Sequence, residues 1–266
     1  QLVRNLQVAN NETAVVDALT VQIERKPTPF AYDLRAIQHL RQEEWLKAAE
    51  DFQRSQELQP AATWHWLETS IALAASGELE RHRVHCVAML ERFGASARAG
   101  DLEHTAKCCL LIPETGLNLE QLSRLADRAV ELDDADAPYH EWRLFAQGLA
   151  PFRTENYEES LAAFGRTRQF NQKLESPNHR LNATCLLLSG MCRHHLGAKS
   201  DAVEIVRQAL AIMESDPPQT AVEWLNWMEF EILYREAKPL FPAITRPVRL
   251  PAIQEAGVST AFESEK

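Results

Sequence analysis

The stretch "HRVHCVAMLERFG", residues 82–94, sets His82, His85 and Cys86 within five consecutive positions. On a helix, His82 and His85 share a face, and such an i, i+3 pair holds zinc when a third and a fourth ligand converge on it. A second cluster, "MCRHHLG" at 191–197, adds His194 and His195 close to Cys185 and Cys192. Neither cluster has a partner at ligand spacing, because the chain contains no CxxC and no HExxH. The adjacent Cys108 and Cys109 point to different faces of a helix, which makes a shared ion or a mutual disulfide poor geometry. The acidic run "ELDDADAP" at 131–138 alternates carboxylates but lacks the glycine and the closing glutamate of a calcium loop, so it reads as a turn. Nucleotide motifs are missing too: there is no GxGxxG and no GxxxxGK[ST], "NHRLNAT" at 178–184 lacks a catalytic aspartate, and "EDFQ" at 50–53 is no metal-binding DFG. GxSxG is also absent. The expectation is a chain that is not an enzyme, with no metal and no cofactor, in which His82, His85, Cys86, Cys108 and Cys109 belong to packing while His194 and His195 sit on a solvated helix toward the concave side.

The elements that place these residues are helices. The 266 residues include only nine glycines, and the prolines fall mostly between segments of helical apolar periodicity. The unit at 31–60, "AYDLRAIQHLRQEEWLKAAEDFQRSQELQP", puts Trp45, Ala48, Phe52 and Leu58 on one helical face ahead of Pro60. Its shape returns with Tyr157, Ser160, Phe164 and Phe170, and again with Gly190, Gly197, Ala202, Val206 and Ala209. Phe52, Cys86, Ala126, Phe164 and Val206 take equivalent second-helix places, at intervals of 34, 40, 38 and 42 residues. Cys86 thus falls on the seam between helices. Asn118 with Gln121, and Asn156 with Glu159, form N-terminal capping patterns, and Ser200 with Asp201 a weaker one.

The pattern predicts five helix pairs at 29–62, 63–95, 103–135, 139–172 and 179–215, with a capping segment over 1–28 and a capping helix over 220–237. Residues 29–237 then form one domain, and 238–266, with its prolines and no sustained period, reads as an extended or disordered tail. Three irregularities stand out. His82 and Leu122 occupy places where a small residue is expected, and Pro151 should kink or end its helix.

A net charge of −10 repels phosphate backbones and anionic head groups, so neither nucleic acid nor membrane is expected as a partner. No apolar run reaches the roughly 20 residues of a membrane helix. Five cysteines set in apolar segments point to reduced thiols and a cytoplasmic location. The start at Gln1, without a methionine or a signal-peptide pattern, suggests a segment of a longer protein.

The repeat resembles the tetratricopeptide (TPR) family over roughly 30–213. A narrower resemblance rests on "WHWL" at 64–67, "RHRVHCVAMLERFG" at 81–94, "HTAKCCLLIPE" at 104–114, "LADRAV" at 125–130 and "WLNWMEFEILYREA" at 224–237. In that order they look like the TPR-like region downstream of the catalytic or propeller domain in multidomain bacterial serine/threonine protein kinases and WD-repeat proteins. The resemblance implies an all-α, right-handed TPR-like α-solenoid used for protein association, with any kinase activity outside this chain and an upstream kinase or propeller domain as a possible intramolecular contact. Stacked pairs leave a concave groove for a peptide or helix. By register its lining includes Trp64, Leu67, Phe145, Leu149, Arg153, His194 and His195. This set lacks the lysines and asparagines that would clamp a terminal carboxylate. Two other functions stay open: a spacer whose groove is filled by its own "PAITRPVRLPAI" segment, and a metal protein or enzyme using the His/Cys clusters.

Overall fold

The computed structural model describes residues 12–113, 115–133 and 137–250. Among these residues the regular elements are helices: α1 Glu12–Arg25, α2 Pro29–Arg41, α3 Trp45–Leu58, α4 Thr63–Ser76, α5 Leu79–Phe93, α6 Ala99–Leu110, α7 Leu119–Glu131, α8 His140–Arg153, α9 Tyr157–Asn171, α10 His179–His195, α11 Lys199–Ser215 and α12 Ala221–Ala237, then a 3-10 turn at Lys238–Leu240. Each helix from α1 to α10 packs on the next, and α4, α6 and α8 also touch in succession. The five pairs α2/α3 to α10/α11 thus form a solenoid whose first helices line one side, with α1 covering the start.

Close approach within pairs comes from small residues. A Cβ on Gly148 of α8 would lie 2.7 Å from the Phe164 ring of α9, and one on Gly190 of α10 would lie 2.5 Å from Val206 of α11. His82, at a place where a small residue was expected, is accommodated because its Nε2 lies 3.1 Å from Ser70 Oγ, so the bulky ring enters the interface with a hydrogen-bond partner. Leu122 is fully buried.

Helix ends follow local chemistry in most places. Asn118 accepts from the Gln121 amide at 3.0 Å, and the Asn156 amide group donates to Glu159 at 2.6 Å. Thr220 and Glu223 form a full capping box at the start of α12, which the sequence reading passed over. At α11 the expected Ser200 cap is not used: the helix begins at Lys199 with Ala198 in the capping place. Pro151 lies inside α8, two residues before its end at Arg153, so only the last turn loses a donor. Leu58, expected on the buried face of α3, is 46% exposed because it is the last residue of that helix, past the turn that faces α4.

The last helix departs most from a simple cap. A cap covers one end and keeps a polar outer face. Instead α12 packs on α10, α4 and α2, reaching back to the first pair along the side lined by first helices. Its residues from Leu225 to Tyr234 are all buried, which requires neighbours all round. The chain after it stays attached: Phe241, Ile244 and Leu250 are buried, the Tyr234 hydroxyl donates to the Arg246 carbonyl at 2.8 Å, and Arg246 pairs with Glu231. Residues 238–250 therefore open with the 3-10 turn, continue without a helix and stay packed on α12, while the rest of the expected tail, 251–266, lies outside the described residues, as do 1–11 of the expected N-terminal cap.

Candidate functional site

The concave side is held by contacts between α12 and the solenoid. Trp227 stacks on Trp45 of α3 with ring centroids 5.9 Å apart, and Trp224 meets Trp227 edge-on at 5.5 Å. Two arginines act on carbonyls that helix ends leave without intrahelical partners. Arg235 of α12 donates to the Ala74 carbonyl of α4 at 2.7 Å, and Arg153 of α8 donates to the Leu110 and Leu111 carbonyls, each at 2.7 Å. Arg153 also pairs with Glu236 of α12 at 2.7 Å. Near the start of α12, Arg41 of α2 donates to the Gln219 carbonyl at 3.0 Å.

Beneath these contacts lies a buried ion triad. Lys107 of α6 stands 3.2 Å from Glu103 of its own helix and 3.2 Å from Glu229 of α12, with its ammonium 4.3 Å from the centre of the Trp142 ring. Burial alone would lower the Lys107 pKa, but the two carboxylates hold it above the ordinary lysine value. Burial also pushes both glutamates up. At Glu103 the charges of Lys107 and His104 overcome it and leave the carboxyl below its usual range, whereas Glu229 remains raised.

Above the triad a cleft of about 420 Å³ opens between α4, α6, α8 and α12, walled by Trp64, Leu67, His104, Tyr139, Trp142 and Val222. Its rim is apolar and solvent-facing: Tyr139 is 70% exposed, Val222 49% and Trp64 36%. Tyr139 holds a left-handed backbone at φ +67, uncommon for a bulky residue.

The residues expected in the groove divide accordingly. Trp64 and Leu67 line the cleft. Phe145 and Leu149 are fully buried within the solenoid, Phe145 with its ring 6.0 Å from Phe164, because they fill the joint between α8 and α9. Arg153 and His194 contact the chain's own C-terminal part, Arg153 through Glu236 and His194 edge-on to Phe241 at 5.4 Å. His195 stacks on Tyr157 at 4.5 Å, away from the cleft residues. Sequence reasoning missed Tyr139, Trp142, His104 and Val222. The signal was the density of large apolar residues over 224–234, on more than one helical face, which marks a helix surrounded on several sides.

The opening histidines act as structure. His85 Nε2 lies 2.9 Å from the Trp66 carbonyl, and burial pushes its pKa down to about 4. Cys86 and Cys109 each reach a backbone carbonyl, and all five cysteines are buried and unpaired by disulfides. In the acidic run, Asp133 accepts from His140 at 2.8 Å and Arg143 at 3.0 Å, while 134–136 lie outside the described residues. No described helix is long and apolar enough to cross a membrane.

Fold and site together define an all-α, TPR-like solenoid with its concave side occupied by its own last helix. The tetratricopeptide repeat family model matches residues 146–215, from within α8 to the end of α11. Among solved structures, the APC/C hetero-tetramer Cut9–Hcn1 is similar at a TM-score of 0.55 and 14% identity, over 91% of this chain and 46% of that one. The chain thus spans less than half the length of that relative. MamA protein is similar at a TM-score of 0.39 and 11% identity, over 72% of this chain and 97% of that one. No curated protein matches the chain at the sequence level.

Proposed function

We propose that this chain is a non-catalytic protein-interaction scaffold that receives a peptide or helix from another protein at the cleft walled by Trp64, Tyr139, Trp142 and Val222, and not along the length of its groove. TPR repeats in general mediate association between proteins, and the cleft supplies what a small anchor site needs: aromatic walls, a polar floor and a solvent-open rim. The observation that carries the reading is the burial of α12 along the concave side, beside which this cleft stays open to solvent. The association with an upstream kinase or propeller domain in a bacterial, cytoplasmic signalling protein belongs to the same proposal, supported by the ordered segments quoted above.

The experiment is quantitative capture of binding proteins by the wild type and by Trp64→Ala/Tyr139→Ala. Both side chains are exposed, so the variant should keep the wild-type circular dichroism and melting temperature while losing its specific partners. An unchanged set of partners would sink the cleft as the binding face. One specific observation favours a second reading, in which the filled groove makes the chain a rigid spacer: α12 touches both the first and the last pair. That reading gains if no protein is captured by either form.

A further inference from the structure

Three side chains converge where the first and second helix pairs meet. His65 Nδ1 of α4 stands 3.1 Å from Glu68 Oε2 and 3.7 Å from Asp33 Oδ1 of α2, and their donor atoms all lie within 4.8 Å of one another. The Ser55 hydroxyl of α3 is 3.2 Å from the same nitrogen. Zinc–ligand bonds of about 2.0–2.1 Å give a tetrahedron with edges of roughly 3.3 Å, so Nδ1 already sits near edge length from three oxygens.

The other ring nitrogen is held as well. Gln59 Oε1 lies 3.1 Å from His65 Nε2. With that oxygen accepting the Nε2 proton, Nδ1 is the nitrogen that faces the carboxylates, where in the absence of an ion it donates to Glu68. Asp33 Oδ1 is a buried atom without a hydrogen-bond partner, and the Glu68 side chain is only 4% exposed. The neighbouring carboxylate Asp51 is neutralised separately by Arg35 at 2.6 Å. A buried Glu68 and a part-exposed Asp33 facing one imidazole place negative charge that a cation or a proton must balance.

We propose that Asp33, His65 and Glu68 form a divalent metal site of the zinc class, with the Ser55 hydroxyl or a water in the fourth place, pinning the first helix pair to the second. The spacing of the set concealed it, since Asp33 lies on a different helix pair from His65 and Glu68. The ion would act as a structural clamp on α4, one of the helices against which α12 rests.

The test uses the full chain, stripped with chelator and titrated with ZnCl2 by calorimetry, with the metal-to-protein ratio measured after desalting. One equivalent is expected, bound at least tenfold more weakly by Asp33→Asn/Glu68→Gln and unchanged in His194→Ala/His195→Ala. Zinc at a hundredfold excess over its Kd should raise the melting temperature of the wild type by about 5–10 °C. No uptake, or equal uptake by the Asp33/Glu68 variant, overturns the proposal. Should that variant not fold, Co2+ added to the wild type decides: visible absorption of a tetrahedral ion without a thiolate band supports the site, and its absence or a thiolate band rejects it.

Discussion

Replacing Lys107 with methionine gives the sharpest test of how α12 is held. The substitution keeps the length of the side chain and its packing under Trp142 but removes the charge between Glu103 and Glu229. At 3.2 Å and an effective dielectric of 20, each lysine–glutamate pair is worth about 5 kcal/mol of attraction. Taking three ions out of water costs several kcal/mol each, so the intact triad stabilises little against an apolar replacement. Without the lysine the balance changes, because two buried carboxylates keep their desolvation cost and lose their counterion. The expected loss is about 3–5 kcal/mol, moderated where Glu229, whose pKa is already raised, takes up a proton.

The assay is urea unfolding followed by circular dichroism and tryptophan fluorescence, which Trp224 and Trp227 on α12 make sensitive to this region. A triple variant, Lys107→Met/Glu103→Leu/Glu229→Leu, should recover to within about 1 kcal/mol of wild type, because no buried charge is left unpaired. A single variant losing under about 1 kcal/mol, or a triple variant as damaged as the single one, would refute the reasoning.

Other outcomes follow from the same contacts. Gly148→Ala and Gly190→Ala should each destabilise by about 1–3 kcal/mol in urea, despite the roughly 1 kcal/mol gain in helix propensity, because the new methyl meets Phe164 or Val206 below contact distance; a stabilised variant would mean that the helices can part freely. Trp227→Ala, which removes a buried ring stacked on Trp45, should cost about 3–5 kcal/mol; a loss below about 1 kcal/mol in the same assay would show that the stack is not formed. His85 has a folded pKa of about 4 against an ordinary 6.5, so the unfolded chain binds the extra proton and stability falls as pH drops from 6.5 towards 4, by about 2 kcal/mol at pH 5. Glu68, raised to about 7, acts in the opposite sense, gaining stability as pH falls through 7. The measurement is therefore the difference between wild type and His85→Gln with chelator present, and an equal pH dependence of the two would contradict burial of a neutral imidazole.

How much of this was readable from the sequence depended on whether the information was local. The helix pairs were readable because Phe52, Cys86, Ala126, Phe164 and Val206 recur on buried faces, and burial at a fixed period is a one-dimensional signal. Caps at Asn118 and Asn156 were readable for the same reason. The identity of the groove's occupant was not local. Register places Phe145, Leu149 and Arg153 on first helices, but whether such a residue faces solvent, its own pair or α12 depends on a segment some 80 residues further on, as the Arg153–Glu236 pair shows. The ion triad was hidden likewise: Glu103 and Lys107 read as an ordinary i, i+4 pair until Glu229 arrives from α12. Tyr139 gave no periodic signal because it lies in a turn.

The occupied groove also sets an energetic limit on what the solenoid can bind. Opening it would expose at least Trp227, Phe230, Leu233 and Tyr234, all at most 3% exposed now. At about 1.5–3 kcal/mol for each buried side chain, release of α12 costs roughly 6–12 kcal/mol before any ion pair is counted. A partner that needed the open groove would have its apparent affinity lowered by about 10⁴-fold or more, so an intrinsically nanomolar ligand would bind no better than at tens of micromolar. A ligand that docks in the cleft meets no such cost, since Trp64, Tyr139 and Val222 already face solvent. On the proposed reading this asymmetry, more than the shape of the solenoid, would favour binding at the end of the concave side where α12 begins, and it makes Trp64→Ala/Tyr139→Ala a more telling perturbation than any substitution at Phe145 or Leu149.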